Sequence, residues 1–474
     1  MKVLKELPAA PVLTDVFGYS WEGRRVAVVG LGRSGLAAAE LLCRAGARVR
    51  ATDSLDTDEL RTARTSLHRL GVDDIELGGH SARVVEDAEL LVVSPGVPES
   101  SEPIRWAAEH RLPVLSEIEL AFHFCRAPIV AVTGTNGKST AVTLIAEVLK
   151  TARRPAIACG NLGTPFASVV GRLNPQVVAV VEVSSFQLLG CDRFRPKIGV
   201  FLNLGANHLD RHRDPQAYLA AKTRLFARQT PEDRAVLNGR DPRIAALGER
   251  LHAQCIWFGE NRSNPPAFLL APETQRAFPD NAQAVLQVSR LFGIPDPLTW
   301  QVIRSFHGLE HRLERVTTLR GIHFVNDSKS TTPDSSLYAL EQTAGDVVVI
   351  LGGRDKHLDF TTLAERLHDE RVRGVVLLGE SRGRLRQLLN GSTTVRETQT
   401  LEDAVREAEA LAAPGMTVLF SPACASFDMF RDFEDRGRAF KAIVQRFAEG
   451  RRPGAEGQSR GLRPAASGLR RVGR

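Results

Sequence analysis

Residues 128–150 read PIVAVTGTNGKSTAVTLIAEVLK and contain the most informative pattern in the chain. Residues 128–133 are almost entirely apolar, which is typical of a buried strand, and the residues after Thr140 repeat apolar side chains as a helix does. The glycine-rich run 134–140 lies between them. Such a run points backbone N–H groups at phosphate oxygens, and Lys138 adds a positive charge. The stretch therefore predicts a phosphate-binding loop in an α/β domain.

The same alternation of strand and helix recurs on both sides of this loop. Upstream, residues 24–53 read RRVAVVGLGRSGLAAAELLCRAGARVRATD, which is a strand, a glycine turn, a helix and a second strand. Downstream, after FHGLEHR, apolar runs at 322–326, 346–353, 374–380 and 417–423 alternate with helical segments. Near-continuous apolar strands between helices predict parallel sheets covered on both faces. We therefore expect an α/β protein of three domains.

Composition excludes several classes of protein. Of the 474 residues 43% are hydrophobic, and the net charge is +7. Residues 450–474 hold seven arginines and one glutamate, or +6, so the folded part is nearly neutral and nucleic-acid binding is not expected. This tail, rich in Gly, Pro, Ser and Arg, is predicted to be disordered. The six cysteines are scattered, which argues against zinc and disulfides. Without an apolar run of membrane-spanning or signal-peptide length, we expect a cytoplasmic protein.

The upstream glycine turn allows a second interpretation. Residues 30–35, GLGRSG, match G-x-G-x-x-G after a strand and before a helix, and Asp53 ends the next strand. This pattern holds the pyrophosphate of a nucleotide at the helix N-terminus. Alone it is compatible with a nicotinamide-dependent oxidoreductase, but that class leaves GTNGKST unexplained.

Three further polar residues stand out near apolar segments. Glu182 interrupts VVAVVEVSSF, and a carboxylate at the end of a buried strand needs a partner such as a metal. His208 follows another apolar strand, and Lys222 lies in the helical segment YLAAKTRLFA. Taken singly, the histidine is more typical of a packed or surface residue and the lysine of a solvated one. Their occurrence together with the phosphate loop favours a functional role for all three residues.

The segments GTNGKST, EVSSFQL, NHLDRH and AAKTRLF, in this order, resemble the central domain of the Mur ligases. The resemblance runs from about residue 23 to about residue 448. It implies a Rossmann-like UDP-sugar-binding domain at 1–116, a central P-loop ATPase domain with a parallel sheet at 117–308, and a Rossmann-like amino-acid-binding domain at 309–449. The disordered tail then covers 450–474. One departure is Asn207, where the family often has Asp; Asn keeps an oxygen acceptor but removes a charge.

The third domain distinguishes among members of this family. HFVNDSKSTTPDSS, LGGRDKHLDF and SPACASFDMFRDFEDRG resemble segments of the members that add D-glutamate. This implies an ATP-dependent ligase that joins D-glutamate to UDP-N-acetylmuramoyl-L-alanine through an acyl phosphate, in peptidoglycan precursor synthesis. The implied cofactors are ATP and Mg²⁺, and we expect a monomer acting on small molecules. Another Mur-type amide ligase or a folylpolyglutamate synthase is the alternative.

The resemblance also assigns roles to individual positions. The implied catalytic residues are Lys138, Glu182, His208 and Lys222. The implied ATP-binding residues are Gly134, Thr135, Asn136, Gly137, Lys138, Ser139, Thr140, Asn281, His311, Arg312, Asp327 and Lys329. The implied UDP-sugar-binding residues are Arg33, Ser34, Asp53, Ser94, Asn161, Ser184 and Gln187. The implied D-glutamate-binding residues are Thr331, Lys356, Ser426 and Phe433. The implied Mg²⁺ ligands are Ser139, Thr140, Glu182, His208 and Lys222, the last as a carbamate.

Overall fold

The computed structural model describes residues 15–205, 213–259, 279–306, 308–355, 358–389 and 394–450. The chain divides into two compact units, Met1–Phe306 and His307–Arg474. The first unit contains two parallel sheets and the second contains one sheet. This confirms the predicted α/β class and its three domains. Within the described residues, no helix is long and apolar enough to cross a membrane.

The first sheet has the order β3-β2-β1-β4-β5, and all its neighbouring strands are parallel. Its strands are β1 (Arg25–Val29), β2 (Arg48–Asp53), β3 (Ile75–Leu77), β4 (Leu90–Val93) and β5 (Val114–Ser116). The helices that accompany it are α1 (Arg33–Arg44), α2 (Asp58–His68), α3 (Glu102–Glu109) and α4 (Glu117–Phe124). From β1 the chain continues to β2 on one side of the sheet, and from β4 it continues to β5 on the other side. The glycine turn after β1 therefore lies at a topological switch point, where α/β sheets bind ligands.

The second sheet has the order β11-β10-β9-β6-β8-β7 and is also parallel throughout. Its strands are β6 (Ile129–Thr133), β7 (Ala156–Gly160), β8 (Val178–Glu182), β9 (Ile198–Phe201), β10 (Arg234–Asn238) and β11 (Gln254–Phe258). Its helices are α5 (Lys138–Thr151), α6 (Phe166–Val169), α7 (Ser185–Leu189), α8 (Pro215–Thr223), α9 (Pro242–Gly248), α10 (Pro279–Leu291) and α11 (Asp296–Ser305). Strands β6, β8 and β9 are buried along their whole length, as expected for a sheet covered on both faces.

The sheet of the second unit has the order β12-β13-β17-β14-β15-β16. Its strands are β12 (Glu314–Leu319), β13 (Ile322–Asn326), β14 (Val347–Gly352), β15 (Val372–Leu378), β16 (Val395–Glu397) and β17 (Thr417–Phe420). Its helices are α12 (Pro333–Gln342), α13 (Thr361–Leu367), α14 (Arg382–Leu388), α15 (Leu401–Leu411) and α16 (Phe433–Ala448). The sequence did not predict β12, which pairs antiparallel with β13 while the other pairs are parallel. Arg320 and Gly321, both at positive φ, form the two-residue turn of this hairpin.

Candidate functional site

The run 134–140 lies where the carboxyl ends of three adjacent parallel strands, β8, β6 and β9, meet. Gly137 precedes α5 with a left-handed φ of 80°. A Cβ atom there would come within 2.4 Å of Oδ1 of Asn281, whose Nδ2 donates to the Gly137 carbonyl at 3.1 Å. Both the backbone angle and the close approach therefore require glycine. The first N–H groups of α5 have no acceptor within the helix, so this end attracts anions.

Asn203, which the sequence analysis did not single out, holds the first half of this loop. Its Oδ1 accepts the backbone N–H of Asn136 at 2.8 Å and of Thr135 at 3.1 Å. Its Nδ2 donates to the Asn136 carbonyl at 3.1 Å. The signal was present in the sequence, because Asn203 is the polar residue that ends the apolar run KIGVFLN, beside the strand that leads into the loop.

Two lysine side chains converge on one carbonyl of the loop. Lys138 Nζ donates to the carbonyls of Gly134 at 2.9 Å and Thr135 at 2.7 Å. Lys222 Nζ, from α8, also donates to the Gly134 carbonyl at 2.9 Å and lies 4.5 Å from the ring centroid of Tyr218. Lys222 is only 1% exposed. Burial, together with the positive charge of Lys138, holds the pKa of Lys222 well below its ordinary value, although Glu182 opposes the shift.

Glu182 ends β8 and is buried beside the loop. Ser139 Oγ donates to its Oε2 at 2.6 Å, and Asn161 Nδ2 donates to its Oε1 at 3.0 Å. The hydroxyl of Thr140 belongs to the same first turn of α5 and is buried as well. The site thus combines hydroxyl and carboxylate oxygens, the ligand type that Mg²⁺ takes.

The glycine turn of the first sheet is held by an acidic residue, Asp53, which ends the neighbouring strand β2. Asp53 Oδ2 accepts the N–H of Leu31 at 2.7 Å, and its Oδ1 accepts the N–H of Leu55 at 3.0 Å. A Cβ atom on Gly35 would come within 1.7 Å of the Gly30 carbonyl oxygen and 3.1 Å of Ser94 Oγ. Asp53 and Ser94 therefore both lie at this turn, as the resemblance implied.

Other residues assigned to the UDP-sugar lie at the starts of helices that accompany the two sheets of the first unit. Arg33 and Ser34 begin α1, and the Arg33 guanidinium lies 3.6 Å from where a Cβ on Gly163 would stand. Ser184 and Gln187 form a capping box at the start of α7: Ser184 N–H donates to Gln187 Oε1 at 2.9 Å, and Ser184 Oγ accepts the N–H of Gln187. The structure thus gives this last pair a helix-capping role.

In the second unit, the loops after the adjacent strands β13, β17 and β14 carry the three segments that indicated D-glutamate. Asp327 is fully buried and accepts the N–H of Leu313 at 3.1 Å and the hydroxyl of Ser421 at 2.7 Å. Burial raises its pKa to about 6. Ser426 is buried, while Thr331 is half-buried.

His311 lies in the same region of the second unit, at a strained φ of 63°. Its ring is 97% buried, with Nδ1 2.9 Å from Asn326 Nδ2. Its carbonyl accepts the N–H of Lys329 at 3.0 Å, and Lys329 Nζ lies 6.0 Å from the ring centroid of Phe433. Arg312 follows His311 and is half-buried. Phe433, which is assigned to D-glutamate, is therefore a neighbour of His311 and Lys329, which are assigned to ATP.

Arg436 is a second residue that the sequence analysis missed. Its side chain is buried, with the residue only 2% exposed. Its guanidinium donates to the hydroxyl and the carbonyl of Ser328 and to the carbonyls of Cys424 and Ala425, at 2.9–3.2 Å. It therefore joins the loops after β13 and β17. Burial lowers its pKa to about 10. A signal existed, because Arg436 shares the four-residue spacing of Phe440 and Val444 on the buried face of α16.

Some sequence-assigned residues cannot be placed. Asn207, His208, Lys356 and residues 451–474 of the tail lie outside the described residues. Among the residues that the structure does describe, no group of three or more His, Cys, Asp or Glu side chains is arranged to hold a metal ion.

Three family models match the chain in succession. They are the MurD-like N-terminal domain of Mur ligases at residues 24–116, the Mur ligase middle domain at 132–283, and the Mur ligase glutamate ligase domain at 311–424. The UDP-N-acetylmuramoylalanine--D-glutamate ligase of Pelotomaculum thermopropionicum is 39% identical over 450 residues, which cover 90% of this chain and 98% of that protein. The chain belongs to the Mur ligase family. A protein of the same name from Desulfosudis oleivorans is 37% identical over the same shares of both chains.

Solved Mur ligase structures share the fold. The UDP-N-acetylmuramate-alanine ligase MurC of Thermotoga maritima matches with a TM-score of 0.56 at 18% identity, over 90% of this chain and all of that one. The MurF ligase of the same organism, solved in complex with ADP, matches with a TM-score of 0.55 at 17% identity, over 90% and 96% of the two chains. At such identities the match establishes the fold alone.

Proposed function

We propose that this Mur ligase joins D-glutamate to UDP-N-acetylmuramoyl-L-alanine and converts ATP to ADP and phosphate. The observation that carries the proposal is the likeness to proteins named for this reaction, at 36–39% identity over 98% of the length of five such relatives. It is supported by the convergence, at one edge of the third sheet, of the segments that resemble D-glutamate-adding members.

The first chemical step needs help from fixed positive charge. An oxygen of the L-alanyl carboxylate attacks the γ-phosphorus of ATP, the bond from that phosphorus to the β-phosphate oxygen breaks, and ADP leaves. Two anions must therefore approach each other. We assign Lys138 and the N-terminus of α5 to the phosphates, where preorganised charge stabilises the transition state without having to reorient.

The second step forms the amide. The amine of D-glutamate attacks the carbonyl carbon of the acyl phosphate to give a tetrahedral intermediate. The carbon–oxygen bond to phosphate then breaks, phosphate leaves, and the nitrogen loses a proton. We assign Thr331, Lys356, Ser426 and Phe433 to D-glutamate, and His311, Arg312, Asp327 and Lys329 to ATP. The UDP-sugar is assigned to Arg33, Ser34, Asp53, Ser94, Asn161, Ser184 and Gln187.

A magnesium ion fits the donors beside the phosphate loop. Ser139 Oγ and Glu182 Oε2, 2.6 Å apart and buried, are oxygen donors of the kind that Mg²⁺ takes. We assign Ser139, Thr140 and Glu182 to one ion, and His208 and Lys222 to a second. Such ions would offset the negative charge of the phosphates.

Lys222 can serve a cation only after it loses its own positive charge. We infer that its neutral amine attacks the carbon of CO₂ and loses a proton, which gives a carbamate with two oxygen ligands. Its burial and its closeness to Lys138, which lower the pKa, favour the neutral amine that this reaction needs.

We infer that the reaction takes place in the cytoplasm. All six cysteines are free, which suits a reducing compartment.

The decisive experiment measures phosphate release with ATP, UDP-N-acetylmuramoyl-L-alanine and a panel of amino acids. We expect turnover with D-glutamate and none with L-glutamate, D-aspartate or meso-diaminopimelate. Turnover with diaminopimelate would instead make the chain a different Mur-type ligase. Titration with NADH, followed by fluorescence, tests the alternative that the chain is a nicotinamide-dependent oxidoreductase. That alternative predicts saturable binding of NADH.

A further inference from the structure

The phosphate loop is tied to the chain segment that follows β9. Besides the three bonds made by the Asn203 amide, the Asn203 carbonyl accepts the N–H of Thr135 at 3.0 Å. Thr135 Oγ1 accepts the N–H of Gly205 at 2.9 Å and lies 3.3 Å from Tyr218 Oη. Residues 135 and 136 are therefore held from outside the loop, by one short segment.

The N–H groups of Thr135 and Asn136 point at Asn203 in this arrangement. They are therefore committed to an internal acceptor. The donors that we assign to phosphate are the N–H groups at the start of α5 and the Lys138 ammonium. That ammonium lies on the carbonyls of Gly134 and Thr135. Asn203 thus fixes the same stretch of backbone whose carbonyls hold the Lys138 ammonium.

We propose that Asn203 is a positioning residue for nucleotide binding. Its amide fixes the first half of the loop so that Lys138 and the N-terminus of α5 face the phosphates, and Asn203 itself does not touch them. The primary amide both accepts the two N–H groups and donates to the Asn136 carbonyl, whereas an ionised carboxylate of the same shape can only accept. This inference rests on the proposed use of ATP.

Two substitutions test this role. Asn203→Ala removes all three side-chain bonds. Asn203→Asp keeps the shape and the acceptors, but it places a carboxylate oxygen against the Asn136 carbonyl and adds negative charge beside the phosphates. We expect KM for ATP to rise about tenfold in the alanine variant, the scale of losing one or two hydrogen bonds, and further in the aspartate variant. The KM values for D-glutamate and the UDP-sugar should stay within about twofold, because neither is assigned to this loop.

Asn238 offers a matched control. It ends β10, the strand on the other side of β9, and its amide also bridges backbone groups: Nδ2 donates to the Leu202 carbonyl at 2.8 Å, and Oδ1 accepts the N–H of Arg240 at 3.0 Å. It makes no hydrogen bond to residues 134–140. Asn238→Ala should lower the melting temperature and leave KM for ATP unchanged.

The readouts are kcat and KM for each substrate, the melting temperature of the protein alone, and the increase in melting temperature caused by ADP. A weaker ADP response in both Asn203 variants, but not in Asn238→Ala, supports the proposal. An unchanged KM for ATP in Asn203→Asp, or an equal rise in Asn238→Ala, overturns it. If ADP raises the melting temperature of the unmodified protein but no phosphate is released with D-glutamate, the proposed function fails. The effect of ADP on the melting temperatures of the variants then still decides the role of Asn203.

Discussion

The first unit contains two glycine turns with the same architecture, and different side chains hold their backbones. Both follow a strand at the centre of a parallel sheet, both lead into a helix, and both contain glycine at positive φ. In the turn at 30–35, a carboxylate from the neighbouring strand, Asp53, holds the Leu31 N–H. In the turn at 134–140, a neutral amide holds the backbone and two lysine side chains share the Gly134 carbonyl.

We propose that this difference separates a binding site from a reacting one. A pyrophosphate that is only bound needs a helix N-terminus and a fixed turn. Phosphoryl transfer between two anions needs additional cations that are already in place. On this proposal, the glycines define where a nucleotide binds, and the charged side chains around them define whether phosphoryl transfer follows.

The largest expected effect comes from removing the cation of the second turn. Lys138→Ala should lower kcat by about 100-fold or more, the scale of deleting one donor to a transition-state charge. Lys150→Ala is the control, because it removes a lysine from the same helix where it is exposed and paired with Glu147. The measurement is phosphate release. Near-normal turnover of Lys138→Ala would mean that this turn does not bind the transferred phosphate.

Lys222→Ala should also be almost inactive, because it removes the proposed carbamate and its oxygen ligands. Small carboxylates or bicarbonate should partly restore the rate by filling the vacated position. Lys222→Arg should not be restored, since its longer side chain fills the space and stays charged. Steady-state rates with and without added formate or acetate decide this. Retention of more than about a tenth of the normal kcat without additives would refute the carbamate role, since loss of a catalytic charge costs far more.

The sequence predicted the parts of both turns that depend on local pattern. Strand, glycine and helix follow each other along the chain, so the positions of Lys138 and Asp53 were readable. Asn203 and Arg436 also left a signal in the local pattern, but their roles could not be predicted from it, because those roles depend on which strands become neighbours. The edge strand β12 escaped prediction for a related reason: it depends on a two-residue turn at Arg320 and Gly321 that lacks the usual Asn-Gly or Asp-Gly pair.

Asp53→Asn probes the first turn alone. The amide keeps one acceptor oxygen but turns an NH₂ group toward the N–H of Leu31 or Leu55, which costs about one or two hydrogen bonds. We expect KM for the UDP-sugar to rise about tenfold on this scale, with KM for ATP unchanged. Asp56→Asn changes an aspartate three residues further along the chain, which is paired with Arg61 at the surface, and should change neither KM. Equal rises in both KM values would show that the two turns do not act separately.

The smallest expected effect concerns Glu117, in the helix that joins the two sheets. Its Oε1 accepts the N–H of Ala167 at 2.6 Å, while Oε2 is buried and has no hydrogen-bond partner among the described residues. Burial raises its pKa to about 7 from an ordinary value of 4.5. The folded protein therefore binds this proton more tightly than the unfolded chain, so the stabilisation is complete below pH 4.5 and is lost as pH rises through about 7.

Glu117→Gln removes this titration, and its melting temperature relative to the unmodified protein should therefore rise between pH 5 and pH 8. A rise of about 2–6 °C corresponds to the few kcal/mol carried by such a pKa difference. Glu119 on the same helix also has a pKa raised by burial, but it titrates equally in both proteins and cancels in the difference. The comparison does not depend on whether glutamine itself packs well, because any packing cost is the same at every pH. A constant difference in melting temperature across this range would mean that Glu117 stays ionised in the folded protein. The helix that joins the two sheets would then carry a permanent buried charge.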